Sequence, residues 1–410
     1  MTGSARPGND ASVRKDYGPG VDLTPQELAE SVAELVRIPS VNSLQAGPAA
    51  GEAGELALAH HLAERFRELG AVEVVLDEVA PGRPNVYATF RGRTDRLVVI
   101  DGHTDTVGVE AMTDPPFDGR IEAHRVWGRG ALDSKATMGV VLALLGSWQR
   151  LGVRPEPTLM VAGTVSEEDG GLPGALRFAE WARQRDLGID QLLVAEPTEL
   201  APVHGHKGGI AALVTTVGRS AHGALPHLGV NAIEAMAPVI SAVTAEHQRL
   251  QTVPATTELG AGTMSVMLIS GGSGSNLIPD RCSILVVQRL VPGEDPDDAF
   301  ARLEDLVRAA SPVPVEVVSM LPPLPDGRLG AAAWYQSPDT PLVQELARLA
   351  GARPAVAPYG TNALCYRDTA GEVVVFGPGC IDDAHQPTES VNLDDLARTA
   401  DVLTGWLRPA

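Results

Sequence analysis

His103, Glu167, Glu168, Glu196 and His385 each follow a short, unbroken apolar run. Residues 97–100 lead into Asp101-Gly102-His103-Thr104-Asp105, and residues 159–161 lead through Ser166 to Glu167, Glu168 and Asp169. The run 192–195 precedes Glu196-Pro197-Thr198, and 373–376 passes into Gly377-Pro378-Gly379 with His385 soon after. Asp133 stands in Gly128-Arg129-Gly130-Ala131-Leu132-Asp133-Ser134-Lys135, where glycines let the backbone come close to a site. Taken singly, each has an ordinary explanation: a polar loop histidine, a solvated glutamate pair, a helix cap at Asp133. Taken together, two imidazoles and at least three carboxylates at strand ends or adjoining loops suit zinc and its first-row neighbours. That set exceeds the needs of one four-coordinate ion, which points to two ions sharing a bridge.

Convergence of these side chains requires a particular scaffold. Unbroken apolar runs suit strands buried on both faces, as in a parallel sheet. Helical stretches over 137–150 and 174–183 lie between them, giving an α/β pattern. Ligands of open α/β sheets sit beyond the carboxyl ends of the strands, so the four strand ends would share one rim. Thr24-Pro25-Gln26-Glu27 is a capping box that opens a helix carrying Leu28, Val32, Leu35 and Val36, and a second helix is expected over 54–69. The stretch from 207 to 318 changes rhythm. Its strand-like segments (210–218, 263–269, 282–290) and helices (231–248, 296–310) have the order of a small α+β sandwich. The expected organisation is a disordered N-terminus over 1–20, a catalytic domain over 21–206 and 319–410, and an inserted domain over 207–318.

Composition narrows the function classes. The 410 residues exceed one comfortable core and suit two domains. The net charge, 32 − 52 = −20, repels phosphate backbones and argues against nucleic acid as a partner. Hydrophobic residues, at 44%, are enough to build real cores. No apolar run approaches the roughly 18 residues of a membrane helix. The first twenty residues lack an apolar stretch, so no secretory signal is expected and the predicted location is cytoplasmic. Cys282, Cys365 and Cys380 are too scattered for a disulfide framework or a thiolate metal cage. Gly271-Gly272-Ser273-Gly274-Ser275 lacks the last glycine of a nucleophile elbow, and no phosphate-binding glycine pattern follows a strand.

The motifs together resemble the di-zinc amidohydrolases that group aminoacylase, acetylornithine deacetylase, succinyl-diaminopimelate desuccinylase and glutamate-releasing carboxypeptidase. The resemblance rests on segments that run through nearly the whole chain in family order. They are Gly102–Asp105, Gly128–Lys135, Ser166–Glu168, Glu196–Thr198, Gly218-Arg219-Ser220-Ala221-His222, Asn276-Leu277-Ile278-Pro279 and Ala384-His385. It implies a catalytic domain with a mostly parallel central sheet flanked by helices, plus an inserted α+β sandwich that serves as lid and dimerisation domain. It also implies two zinc ions per chain, with cobalt or manganese able to substitute. His103 and Glu196 would hold one ion, Glu168 and His385 the other, with Asp133 bridging. Asp105 would orient His103, because a ligating imidazole needs its other N–H anchored. Glu167 would be the general base acting on a water that bridges the zinc ions. His222 would reach a homodimer partner's active site and stabilise the oxyanion. Asn276, Arg289 and Thr361 would bind substrate, Arg289 through a bidentate carboxylate contact. Asn362 and Gln288 depart from the family pattern, which commonly has an Asp after the Gly-Thr pair and often an Asp before the Arg. In the family the chain resembles, a Glu at the Glu196 position accompanies aminoacylase and carboxypeptidase activity, whereas an Asp there is associated with aminopeptidases and dipeptidases. The implied reaction is therefore hydrolysis of the amide of an N-acyl amino acid or related carboxylate-bearing substrate. A dipeptidase or carboxypeptidase with the same machinery is the first alternative, and a non-catalytic binding protein that keeps the fold is a remote one.

Overall fold

The computed structural model describes residues 20–51, 54–321 and 327–410. The disorder expected over 1–20 therefore lies, except for Gly20, outside the described residues. The chain forms two compact units. The first comprises the residues up to His204 with Ser337–Ala355 and Thr361–Ala410; the second comprises Gly205–Gln336 with Val356–Gly360.

In the first unit, strands Thr158–Thr164, Leu97–His103, Ile189–Val194 and Ala370–Val375 lie side by side, all parallel. A hairpin, Glu73–Ala80 with Arg83–Phe90, extends this sheet antiparallel beyond Thr158–Thr164. Sequence reasoning passed over that hairpin, because its residues mix charge with apolar positions and show no unbroken run. The parallel register levels the carboxyl ends of the strands. His103 lies beside Thr164, and Asp101 and Val375 both lie beside Val194, so the polar residues after each strand emerge at one height.

Helices cover both faces. Thr24 accepts from the Glu27 amide while the Glu27 carboxylate accepts from the Thr24 amide, so the capping box starts helix Pro25–Val36. Helices Leu56–Glu68, Lys135–Leu151 and Leu393–Leu407 share one core with it, into which Val86, Val98, Ile100 and Val161 pack. On the Arg83–Phe90 strand, Tyr87 points to the other face. There its ring meets Phe178 and Trp181 of helix Pro173–Gln184 at 5.1 and 4.6 Å between centroids. No helix among the described residues is long and apolar enough to cross a membrane.

The second unit is a four-stranded antiparallel sheet in the order Thr263–Gly271, Arg281–Leu290, Gly208–Val217, Val315–Ser319. Helices Ala232–Gln251 and Pro296–Ala310 pack on one face, against Ile210, Val214, Ile284 and Val286. This unit extends past residue 318. It reaches Gln336, and Gly209 of its sheet pairs with Ala331. Gly208 lies so close to Ala331 and Ala332 that any Cβ there would strike backbone. The outer strand leaves Met267, Leu268 and Ile269 between 59% and 67% exposed.

The helix after Asp133 is seated by a close approach. A Cβ on Gly139 would lie 2.6 Å from Val32 Cγ2 and 2.8 Å from Val32 Cα. Alanine normally gains about 1 kcal/mol over glycine inside a helix. Here backbone blocks the methyl, and overpacking costs about 1–3 kcal/mol. Gly139→Ala should therefore lower the urea midpoint; a raised midpoint would show that the two helices separate freely.

Candidate di-metal active site

Five side chains meet at the carboxyl rim of the first unit's sheet. Ligand atoms of His103, Asp133 and Glu196 all lie within 4.8 Å of one another, and so do those of Asp133, Glu168 and His385. Asp133 belongs to both groups. Its Oδ1 is 3.0 Å from His103 Nε2 and its Oδ2 is 3.3 Å from His385 Nε2, while Glu168 Oε1 lies 3.1 Å from the same His385 nitrogen.

Local structure explains each position. His103 is the last residue of its strand, and Glu196 stands two residues beyond the end of the next, where the Ala195 amide still bonds the Asp101 carbonyl. Glu167 and Glu168 come directly after Ser166, whose φ of 62° turns the chain sharply after the Thr158–Thr164 strand. His385 has φ 63°, a left-handed conformation costly for a non-glycine residue and typical of functional sites. Asp133 directly precedes the buried start of helix Lys135–Leu151, and the Ser134 hydroxyl donates to the His103 carbonyl.

Asp105, expected to orient His103, contacts more than that imidazole. The His103 Nδ1 lies 2.9 Å from the Asp105 carbonyl and 3.5 Å from its Oδ1. The same buried carboxylate accepts from the backbone amides of Glu167 (3.0 Å) and Glu168 (3.1 Å). Asn42 also donates to Asp105, at 2.8 Å, and Gln45 donates to the Glu168 carbonyl at 2.7 Å. Sequence reasoning passed over Asn42 and Gln45, because an amide in a loop carries no motif.

The electrostatics favour a cation. Burial pushes Glu196 and Glu167 well above the usual carboxylate range, and neighbouring carboxylates add to the effect. Hydrogen bonds that His385 donates to the Asp133 and Glu168 carboxylates raise it to about 10. Burial opposes charge on His103, yet Asp105, Asp133 and Glu196 hold it well above the ordinary imidazole value. A field that draws a proton onto each imidazole also draws a divalent ion. Glu196 Oε1 supplies the sharpest test of fit: it is buried and has no hydrogen-bond partner among the described residues. A buried carboxylate oxygen without a donor is costly, and a metal ion satisfies it. The imidazole–carboxylate donor set fits such ions.

The remaining expected site residues are described within their own units. Thr361, in the first unit, is buried and caps the short helix Asn362–Cys365, its hydroxyl accepting from the Ala363 amide. Asn362 is buried too and donates to Asp101 and Thr164, beneath the His103 strand end. In the second unit, Ala221–His222 pairs with Leu277–Ile278, which brings His222 close to Asn276; the Gly223 amide bonds the Asn276 carbonyl. The Ala224 amide donates to His222 Nδ1 at 3.1 Å, which leaves Nε2 as the N–H donor of an exposed imidazole. Arg289 is exposed on its strand opposite Gly209. Gln288, its neighbour, alternates to the buried helix-covered face.

The Asp105 clamp ties three site residues to one carboxylate. Asp105→Ala should weaken zinc binding about 10- to 100-fold by equilibrium dialysis, the usual cost of losing a group that orients a ligand. Unchanged affinity would show the clamp to be dispensable.

The description Peptidase family M20/M25/M40 matches residues 99–408. The chain is 28% identical over 380 residues to an acetylornithine deacetylase of Vibrio vulnificus, covering 90% of this chain and 95% of that one. It is 29% identical over 386 residues to the Salmonella arizonae acetylornithine deacetylase, covering 90% and 94%. Among solved structures, it resembles an M20 family metallo-carboxypeptidase from Sulfolobus solfataricus with a TM-score of 0.73 at 19% identity, covering 93% of this chain and 98% of that one. A di-peptidase from Saccharomyces cerevisiae gives 0.75 at 14% identity, covering 94% and 95%, so the fold is shared. The chain belongs to peptidase family M20/M25/M40 and is a metal-dependent amide hydrolase.

Proposed function

We propose that the chain hydrolyses the amide bond of an N-acyl amino acid or a related carboxylate-bearing substrate, using two zinc ions per chain. The observation that carries this reading is Asp133, which turns one oxygen to each of two imidazoles. His103 and Glu196 would hold one ion, Glu168 and His385 the other, and Asp133 both. Bound ions supply Lewis acidity toward a carbonyl and a lowered pKa for water. Glu167 takes the proton from the attacking water and returns it to the departing amine nitrogen; its raised pKa suits a carboxyl that must both accept and release it. The acetylornithine deacetylases that match over nine-tenths of the chain support an acyl amino acid as substrate. The first unit would be the catalytic domain and the second the lid and dimerisation domain. Three free cysteines agree with a cytoplasmic, reducing compartment.

Wild-type protein should take up about two zinc ions per chain by elemental analysis, and Asp133→Ala should lose both. Glu167→Ala should keep both and lose roughly 10²- to 10⁴-fold in turnover. Full metal content in Asp133→Ala would refute the shared bridge. A panel of N-acyl amino acids and dipeptides tests the substrate; cleavage confined to dipeptides would overturn the deacylase reading.

We further propose that the chain works as a homodimer, with His222 of one copy donating its Nε2–H to the oxyanion in the other and with Asn276 and Arg289 binding the substrate. Met267, Leu268 and Ile269, exposed together on an outer strand with open backbone groups, support a second copy as partner. His222→Ala should cut turnover about 10²- to 10³-fold and leave metal content intact. Mixing it with Glu167→Ala subunits should restore up to half the wild-type rate per heterodimer. A fully exchanged mixture that stays inactive would exclude action across the interface.

A further inference from the structure

Arg129 and Glu389 form an ion pair that is almost wholly buried, at 2% and 1% exposure. Neither side chain offers an atom to the two ligand groups, yet each touches the backbone of a residue that does. Glu389 Oε1 accepts from the amides of Leu132 (3.0 Å) and Asp133 (3.3 Å). Arg129 Nη2 donates to the His385 carbonyl at 3.4 Å, and its Nε to the Gly108 carbonyl at 3.2 Å. The pair therefore grips the segment that carries the shared carboxylate and the segment that carries the second imidazole.

Two further facts separate this grip from plain structural support. The segments already have a scaffold of their own, because strand Ser390–Asn392 pairs with Arg125–Trp127 just outside the ion pair. His385, at φ 63°, is held against its local preference, and Arg129 reaches its carbonyl from outside that chain segment. Burying two charges rarely adds stability over apolar residues of similar volume, so their value lies in what they orient.

We propose that the Arg129–Glu389 pair is a positioning device that sets Asp133 and His385 relative to one another, so that one carboxylate serves both ions. The inference rests on the two-ion reading of the site. Glu389 fixes the direction of the Asp133 peptide, and Arg129 fixes that of His385, each acting through backbone rather than by touching substrate.

The double variant Arg129→Met, Glu389→Leu removes both charges together and leaves no lone buried ion. Without metal it should unfold within a few degrees of the wild-type chain, monitored by circular dichroism. Its zinc affinity should nevertheless fall about 10- to 100-fold, and the visible spectrum of its cobalt form should change. A folded double variant that binds zinc with wild-type affinity overturns the proposal. Glu389→Gln keeps an acceptor for the Leu132 and Asp133 amides and should lose less affinity than the double variant; an equal loss also overturns it. Should the double variant not fold, Arg129→Lys decides, since lysine keeps the charge but not the fork that reaches both Glu389 and His385. Weaker zinc binding by Arg129→Lys supports the device, and wild-type affinity refutes it. Zinc stoichiometry of the wild-type chain reports on the two-ion reading separately, because the device is judged only from the ratio of variant to wild type.

Discussion

Asp133 is the point on which the site turns. One short carboxylate faces two imidazoles from opposite oxygens, inside a rim that also holds Glu167, Glu168 and Glu196. So many carboxylates in a partly desolvated space repel one another, and positive charge among them makes the arrangement favourable. Protonated imidazoles meet part of that need, and divalent ions meet more of it. Among the described residues no donor reaches the buried Glu196 Oε1, an oxygen that a metal ion would satisfy.

The surroundings answer the demand to hold like charges at close range. Parallel pairing brings the strand ends level, so His103, Glu167, Glu168 and Glu196 project from adjacent turns. Beneath them lies Asp101, also buried, which is satisfied by Thr164, Asn362 and Tyr366. Around them, Asp105 gathers the Glu167 and Glu168 amides with Asn42, and Glu389 gathers those of Leu132 and Asp133. Backbone amides aimed at a carboxylate fix the loop without adding charge that would compete with a ligand. The second unit obeys simpler rules: an antiparallel sheet with one helix-covered face, and an outer strand whose apolar residues remain open.

Much of this architecture was legible because it is written in local pattern. Unbroken apolar runs marked the parallel strands, the Thr24–Glu27 box marked the first helix, and alternation marked the sandwich strands. The polar residues directly after each run located the rim, since a strand end is set by the sequence that ends it. The Glu73–Phe90 hairpin escaped because a half-exposed edge pair lacks an unbroken apolar run. The expected boundary at 318 put residues 327–336 in the first unit, because nothing local announces that Ala331 pairs with Gly209.

By its residue order alone, the chain determined an α/β unit with an inserted α+β unit and the imidazoles and carboxylates gathered at the strand ends. Those arise from periodicity and from chemistry at strand ends, which neighbouring residues control. Only the tertiary structure decided which oxygen of Asp133 faces which imidazole. It also decided that Asn362 supports Asp101, that Gln288 turns from Arg289's face, and that Arg129 meets Glu389 across 260 positions. Those facts depend on pairings between distant segments, where distance along the chain carries no information about distance in space.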